Sequence, residues 1–374
     1  QTTEGLIPSI APEFVRFENG FLDSPEWGSA GIIVPWLIYK WYGDKSVMAG
    51  AWPMMLKYIK YLGSKAENHI LSHGLGDWYD LGPERPGYAQ LTPRELTATA
   101  IYYYDVKLMA SMAAILGNKE DEYRLIKLAD EIKSAFNNRF FNTETKTYST
   151  GSQTAMAMPL CVGLVNENDH NEVFKNLVDI INRNEKALTA GDIGFHFLVE
   201  VLTQGDASEL IYEMNNRDDV PGYGYQIKKG ATALTESWAG LESASNNHLM
   251  LGHIMEWFYK GICGIQQEES SVAYKRIVIN PSLVGDIIEA KAIYNSPYGI
   301  VKSEWKRNAR MLIMNITVPV NVTARIYIPA TDIDTVFEGR KPIKEVKNIE
   351  IEAVENDRLI IETGSGKYRF EVKK

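Results

Sequence analysis

The sequence predicts a mainly α-helical chain that ends in a small antiparallel β-sandwich. Two observations support this prediction. Up to residue 262, about nine segments place apolar residues three and four positions apart, the spacing of amphipathic helices. After residue 274, short β-branched runs alternate with turns, which is typical of a small sandwich. Because the helical segments follow one another like hairpins with functional loops between them, we expect an α/α toroid.

The first helices are predicted from apolar periodicity and from their ends. Residues 29–42 are bulky and apolar nearly all round, which favours a buried helix. Gly43-Asp44 then forms a turn before a second helix over residues 45–62. Thr92 or Pro93 begins a long helix that ends at Leu116, and Gly117-Asn118 separates it from a helix over residues 119–140.

Four shorter helices and a final longer one complete the helical part. The shorter ones are predicted over residues 151–164, 171–184, 192–203 and 207–216. The last helix is expected over residues 245–262, with these side chains facing inward: Leu249, Met250, Ile254, Trp257 and Phe258. Tryptophans in helical proteins are mostly core residues. We apply that interpretation to Trp36, Trp41, Trp52 and Trp257.

The β part begins after a polar linker at residues 264–271, which divides the chain into domains 1–265 and 266–374. Strands are predicted within residues 275–282, 287–299, 300–307, 312–321, 323–330, 358–366 and 368–374. A charged segment separates the fifth of these runs from the sixth.

Composition restricts the possible partners. The 374 residues carry a net charge of −9, with 45% hydrophobic and 23% charged residues, so we expect an ordinary two-domain globular protein. Negative charge without a Lys/Arg run argues against nucleic acid and anionic membranes. No apolar run reaches membrane-spanning length.

Cys161 and Cys263 lie in apolar segments and are expected to be buried free thiols.

Motifs for metals and cofactors are absent from the sequence. The six histidines include no HExxH, and the two cysteines are about a hundred residues apart. GxxxxGK[ST], GxGxxG after a strand and GxSxG are absent as well. We therefore expect neither a metal nor a cofactor.

Carboxylates beside aromatic residues are the remaining candidates for chemistry. They lie in three predicted loops: Glu26-Trp27, Asp77-Trp78-Tyr79-Asp80 and Glu236-Ser237-Trp238. Hydrolysis of a glycosidic bond needs one carboxyl group as proton donor and another as base or nucleophile, in a cleft with aromatic walls. The pattern therefore indicates a sugar-binding cleft with Glu236 as a catalytic carboxylate. A structural alternative stays open for Asp77 as a turn cap and for His248 as a core histidine.

Five collinear segments resemble family 78 glycoside hydrolases, the α-L-rhamnosidases of bacteria and fungi. They are WGSAGIIVPWLIYKWYGD, the GDW of GLGDWYD, GYGYQIKKGATALTESW, SNNHLMLGHIMEWFYKGICGI and YNSPYGIVKSEWKR. The match covers essentially the whole chain, and GATxxxExW with the following NH and GxxxEW motifs is its most specific part. The resemblance implies an (α/α)6 catalytic barrel, incomplete at its N-terminus, followed by a C-terminal β-sandwich.

The resemblance also implies roles for individual residues. Glu236 is similar to the general base that activates water in an inverting mechanism. Six other residues match pocket-lining positions or lie in matching motifs, which implies contact with rhamnose: Trp27, Asp77, Trp78, Tyr223, Trp238 and His248. The implied partner is a rhamnose-containing glycan or glycoside. Because similar enzymes of Gram-negative bacteria are often periplasmic, we expect a periplasmic or secreted protein.

Two departures from the family pattern affect the mechanism. The family commonly has Trp-Gly-Asp where this chain has Trp27-Gly28-Ser29, so one polar contact of the pocket is expected to differ. The general acid of the family lies in a DERxGWxGD-like segment, which does not occur here. The chain is either a truncated enzyme or a barrel that has lost its acid. We adopt truncation, with the proton donor upstream of Gln1, and expect this piece alone to be inactive.

Two other functions stay open. A non-catalytic carbohydrate-binding relative would keep the aromatic pocket without the acid. A barrel glycosidase for another sugar, such as a uronate, would need cationic residues in the pocket, for which the loops offer only Arg85, Arg94, Lys228 and Lys229. We interpret Lys228-Lys229 as a solvated turn.

Overall fold

The computed structural model describes residues 1–240 and 244–373, which fall into two compact units. Unit 1 contains residues 1–37, 45–205 and 213–253, and unit 2 contains residues 38–44, 206–212 and those from 254 onward. Unit 1 is built from helices, and unit 2 contains two large β-sheets. The predicted domain division at residue 265 remains a proposal.

The helices appear in the predicted order. Their bounds are α1 (Pro25–Gly28), α2 (Ala30–Tyr42), α3 (Ser46–Lys65), α4 (Arg94–Leu116), α5 (Lys119–Phe140), α6 (Gln153–Val162), α7 (Glu167–Arg183), α8 (Gly194–Gln204), α9 (Ser208–Asn215), α10 (Tyr223–Lys228) and α11 (Ile254–Trp257). The predictions for α2 to α9 are confirmed, with ends that differ by four residues or fewer. The short helices α1 and α10 were not predicted, because each lies in a stretch rich in Pro, Gly and aromatic residues.

Helices α4 and α5 form a hairpin in unit 1. Gly117 ends α4 in the left-handed conformation with φ of 80°, which costs a glycine little. Helix α5 turns one face inward, and its buried residues are spaced three and four apart: Leu125, Ala129, Ile132, Phe136 and Phe140. Helix α4 is buried on most sides because α3, α5 and α6 all pack against it.

Helix α2 is partly exposed, whereas the sequence predicted a buried helix. Only Ile32 and Pro35 are fully buried, whereas Val34 and Tyr42 are exposed. Trp41 is 42% exposed, so its assignment to the core is wrong. The apolar pattern was read correctly as a helix, but it does not reveal which of several apolar faces meets a neighbour.

The predicted last helix over residues 245–262 is also wrong in its first half. A 3₁₀ turn covers Met250–His253, α11 follows, and a π-helical turn covers Phe258–Ile262. Leu249 is 81% exposed and Phe258 is exposed, so neither faces inward as predicted. The reason is tertiary: Ser245 O accepts a hydrogen bond from Glu236 N, and His248 N donates to Leu234 O, so this stretch pairs with residues 234–236.

The described strands form one short pair, β1 with β2, and the two large sheets. Their bounds are β1 (Phe141–Asn142), β2 (Thr147–Tyr148), β3 (Ile265–Gln267), β4 (Arg276–Ile279), β5 (Glu289–Ser296), β6 (Gly299–Arg307), β7 (Met311–Val318), β8 (Thr323–Pro329), β9 (Val336–Glu338), β10 (Lys341–Pro342), β11 (Ile349–Glu355), β12 (Arg358–Thr363) and β13 (Gly366–Lys373). One sheet has the order β10-β9-β13-β7-β6-β5, and the other has the order β11-β12-β8-β4-β3.

The sheets of unit 2 confirm the predicted β-sandwich, with two differences. The pair β4 and β8 is parallel, whereas the other pairs are antiparallel. The polar linker contains strand β3, which pairs with β4, and the charged segment contains β9 to β11. Alternating burial along β7 shows why its period-two pattern was readable from sequence.

Neither cysteine is in a disulfide. Cys161 is half-buried, and Cys263 is buried, which raises the pKa of its thiol to about 11. Among the described helices, none combines the length and apolar character needed to cross a membrane.

Candidate active site

Asp77 anchors the loop between α3 and α4. The residue is fully buried, and its carboxyl group accepts hydrogen bonds from Thr154 Oγ1, from Gly191 N at 2.9 Å and from Gly194 N at 2.7 Å. Burial raises the pKa of Asp77, and these donors act in the opposite direction. The loop is thereby tied to α6 and to the start of α8.

Residues 189–194, here called the 189–194 segment, pair with this loop through the backbone. Leu81 N donates to Thr189 O at 3.0 Å, and Asp192 N donates to Trp78 O at 2.8 Å. Gly191 has no room for a side chain, since an added Cβ would lie 2.2 Å from Trp78 O. The position of Trp78 is therefore fixed by its backbone contacts to the segment.

The indole of Trp78 belongs to an aromatic cluster formed by Phe21, Trp78, Tyr79 and Tyr88. Its ring centroid lies 5.1 Å from that of Phe21, 5.0 Å from that of Tyr79 and 5.5 Å from that of Tyr88. Phe21 is 37% exposed and Tyr88 is 43% exposed, while the other two are half-buried. Such a partly exposed aromatic surface suits stacking against the apolar face of a sugar.

Glu236 lies in a loop that pairs with residues 245–248. Its backbone N donates to Ser245 O at 2.8 Å, and its carboxylate Oε2 accepts a hydrogen bond from Ser245 N at 3.0 Å. His248 N donates to Leu234 O at 2.9 Å, so Glu236 and His248 are brought close along one paired stretch. Both residues are half-buried, which leaves part of each side chain accessible.

Trp238 connects the Glu236 loop to the 189–194 segment. It is fully buried, and its Nε1 donates to Ala190 O at 2.8 Å. Its ring packs edge-on against Phe195 and Tyr223, with centroids 4.9 Å away in each case. Tyr223 in turn donates its hydroxyl hydrogen bond to Leu251 O. Trp238 and Asp77 thus support the site from the interior.

The acidic and aromatic residues of α1 lie beside the loop that follows α3. Ser24 Oγ accepts a hydrogen bond from Leu75 N at 3.0 Å and donates one to Glu26, which also accepts from Thr97. Burial raises the pKa of Glu26. Trp27 is half-buried in this same turn. The first two predicted acidic-aromatic clusters are therefore joined by the hydrogen bond between Leu75 and Ser24, and the Glu236 cluster is joined to the Asp77 loop through the 189–194 segment.

Asp192 is the residue of this region that the sequence analysis missed. It is only 2% exposed, and neither carboxyl oxygen has a hydrogen-bond partner among the described residues. Burial raises its pKa to about 8, with further contributions from Asp77 and Glu236. Burial also raises the pKa of Tyr79, and the negative charges of Glu236 and Asp192 raise it further. The sequence predicts only that a helix begins at Asp192, and that pattern does not mark the residue as part of a site.

Ser29 occupies an interior position. It is fully buried and donates a hydrogen bond to Asp105, a buried acid of α4. Burial raises the pKa of Asp105 well above its usual range. The Ser29 side chain of the Trp27-Gly28-Ser29 motif therefore makes its contact inside the helical unit.

Basic residues lie at the edge of this region. Arg94 lies over the Tyr88 ring at 5.6 Å, and Arg85 opposes the rise in the pKa of Tyr79. Lys228 forms an ion pair with Asp218 at 3.1 Å.

A cavity of about 340 Å³ adjoins the Glu236 loop and is lined by Gln226, Lys229, Gly230, Ala231, Thr232, Ala233, Thr235, Gly240 and Asn246.

Two protein-family models match this chain. The bacterial alpha-L-rhamnosidase six-hairpin glycosidase domain matches residues 1–262, and the bacterial alpha-L-rhamnosidase C-terminal domain matches residues 264–341.

Curated relatives match the chain over its whole length. An alpha-L-rhamnosidase of Streptomyces avermitilis is 29% identical over 382 aligned residues, covering 100% of this chain and 35% of the relative. An alpha-L-rhamnosidase of Formosa agariphila is 29% identical, covering 100% of this chain and 41% of the relative. The chain thus spans less than half the length of either relative.

Solved structures have the same fold. The Streptomyces avermitilis alpha-L-rhamnosidase complexed with L-rhamnose superimposes with a TM-score of 0.89 at 29% identity, covering 100% of this chain and 35% of that one. The alpha-L-rhamnosidase from Dictyoglumus thermophilum also gives a TM-score of 0.89, at 33% identity, and 42% of it is covered.

Proposed function

Because the chain belongs to the bacterial α-L-rhamnosidase family of six-hairpin glycosidases, we propose that the full-length protein hydrolyses terminal α-L-rhamnosides with inversion. The observation that carries this proposal is the placement of Glu236. A half-buried carboxylate, held by Ser245 N, lies within electrostatic reach of Tyr79, and Trp78 beside Tyr79 offers an aromatic surface.

In this proposal Glu236 is the general base. Its Oε2 is oriented by the backbone N–H of Ser245, and its partial exposure leaves room for a water molecule. The carboxylate removes a proton from that water as the water attacks the anomeric carbon. A second carboxyl group, predicted in the acidic segment upstream, protonates the leaving oxygen. In an inverting enzyme the two groups stand roughly 6.5–9.5 Å apart, which leaves space for the water.

The predicted substrate-binding residues divide into two groups. Trp27, Trp78 and His248 are half-buried, so they can present a surface to the sugar. Asp77 and Trp238 are fully buried, and we assign them to holding the pocket wall. Tyr223 is half-buried, and its hydroxyl and ring contacts to Leu251 and Trp238 favour the same supporting role.

The charges around Glu236 favour a neutral sugar. The groups that act on Asp192 are the acidic residues Asp77 and Glu236. A uronate would bring another negative charge to this cluster and be repelled. Rhamnose carries no ionisable group, so it avoids that repulsion.

A chromogenic α-L-rhamnoside tests the proposal with full-length protein. Glu236→Gln removes the base but keeps the size of the side chain, so turnover should fall at least about 100-fold. A Glu289→Gln variant, which changes an exposed ion pair with Lys306 in the sandwich, is the matched control and should keep wild-type turnover. Circular dichroism checks that both variants fold.

Two results decide between this proposal and a non-catalytic relative. Near-normal turnover in the folded Glu236→Gln variant contradicts the role of Glu236. Wild-type protein that binds rhamnose in calorimetry but releases none from the chromogenic substrate indicates a carbohydrate-binding protein instead.

A further inference from the structure

Asp192 is a buried acid without a described partner. Both of its oxygens are inaccessible and accept no hydrogen bond from the described residues. Burial disfavours the charged form of an unpaired carboxyl group, so such a group keeps its proton unless something compensates. Among the residues that the structure describes, the titratable groups that interact with Asp192 are Asp77, Glu236 and Tyr79, and none of them is a cation.

Asp192 lies in a segment that holds other residues of the site, so a charge on Asp192 would affect their positions. Its backbone N–H binds Trp78 O, and its neighbours Gly191 and Gly194 bind Asp77 through their backbone N–H groups. Two residues earlier, Ala190 O accepts the indole hydrogen bond of Trp238, which follows Glu236 by two positions. The 189–194 segment therefore supports Trp78 and the Glu236 loop at once.

We propose that Asp192 is a positioning residue of the site: as an uncharged acid it keeps the 189–194 segment packed against Trp78 and Trp238, and a charge on it releases that packing. This inference rests on the proposed hydrolase function and adds a residue that acts through the pocket wall.

The physical reason is hydration. An ionised Asp192 would face Asp77 and Glu236 without a counter-charge, and its oxygens have no donors. Stabilising this charge requires water to reach the carboxylate, and the packed segment does not allow water to reach it. Movement of the segment would break the hydrogen bonds from Asp192 N to Trp78 O and from Trp238 Nε1 to Ala190 O. Trp78 and Glu236 would then lose their relative placement.

The test compares Asp192→Asn with wild type across pH in the full-length protein. The amide has nearly the same shape but stays neutral at every pH. We measure kcat/KM on the chromogenic α-L-rhamnoside from pH 6 to 9.5 and take the ratio of variant to wild type, normalised to pH 6. The ratio cancels every ionisation the two proteins share. With a pKa of about 8 for Asp192, the ratio should rise about tenfold between pH 7 and pH 9.

Glu289→Gln is the control, because Glu289 is an exposed acid of the sandwich, paired with Lys306. Its ratio should stay flat. As a readout independent of turnover, hydrogen exchange of a peptide covering residues 187–196 should become faster in wild type than in Asp192→Asn above pH 8.

Each outcome decides a separate point. Active wild type with a flat Asp192→Asn ratio overturns the positioning role and leaves the hydrolase proposal intact. Wild type that releases no rhamnose overturns the hydrolase function, and the exchange experiment then decides whether charge on Asp192 releases the segment. Equal exchange in both proteins at pH 9 overturns that part as well.

Discussion

Asp77 and Asp192 are two buried carboxyl groups of the same site in opposite environments. Asp77 accepts hydrogen bonds from one hydroxyl and two backbone N–H groups, which compensate part of its burial. Asp192 has no such donors among the described residues, although Asp77 and Glu236 both act on it. Burial raises the pKa of both groups, but of the two only Asp77 has hydrogen-bond donors that oppose the rise.

The first prediction at this scale concerns stability. The unfolded pKa of an aspartate is near 3.8, and burial raises that of Asp192 to about 8 in the folded protein. Between these values only the folded state binds the proton, so the free energy of unfolding falls as pH rises. Asp192→Asn should therefore gain stability over wild type by up to about 1.4 kcal/mol per pH unit from pH 4 to 8. Urea unfolding of the full-length proteins at pH 5, 6 and 7 measures this; a pH-independent difference contradicts it.

Residue roles were predictable where chemistry and context agreed. Glu236 could be selected because a carboxylate beside an indole in a Gly-rich loop suits sugar hydrolysis, and the family resemblance points to the same residue. Asp192 could not be selected, because Gly-Asp before an apolar run is an ordinary helix start. Its importance arises from burial and from neighbours 115 and 44 residues away in sequence, Asp77 and Glu236.

At the scale of elements, the 189–194 segment and the loop after α3 form the framework of the site. Their backbones approach so closely that Gly191 is required: an added Cβ would lie 2.2 Å from Trp78 O and 2.6 Å from Asp80 N. Both atoms belong to the backbone, so neither can move away without shifting the loop that carries Trp78.

Gly191→Ala should accordingly destabilise the protein by about 1–3 kcal/mol through overpacking. Gly50→Ala in α3 is the matched control, since an added Cβ there meets nothing within 4 Å. That control should stabilise the helix by about 0.5–1 kcal/mol. Urea unfolding of both full-length variants measures the difference. Equal stabilities for the two variants would show that the close approach at Gly191 is relieved easily.

Elements were predicted well where periodicity is strong and poorly where tertiary contacts override it. Helix α5 and strand β7 show one buried face each, so their patterns are unambiguous. Residues 245–248 have helical spacing, but Ser245 and His248 form hydrogen bonds with Glu236 and Leu234 instead. Strand β3 was missed because its polar residues resemble a linker, although its backbone pairs with β4.

At the scale of the whole molecule, the chain combines a helical unit with a β-sandwich, as the change in sequence pattern predicted. The helical unit provides the residues of the candidate site, from Trp27 in α1 to His248 after the Glu236 loop. The chain spans 35% and 41% of two curated relatives, so the activity proposed here is that of the full-length protein.

The stereochemistry of the released sugar tests the central claim most directly. Proton NMR of full-length protein acting on an α-L-rhamnoside identifies the first anomer formed, before mutarotation equilibrates the two. If Glu236 activates water for a single displacement, β-L-rhamnose appears first. Initial release of α-L-rhamnose would mean a double displacement and would contradict the role of Glu236 as a base.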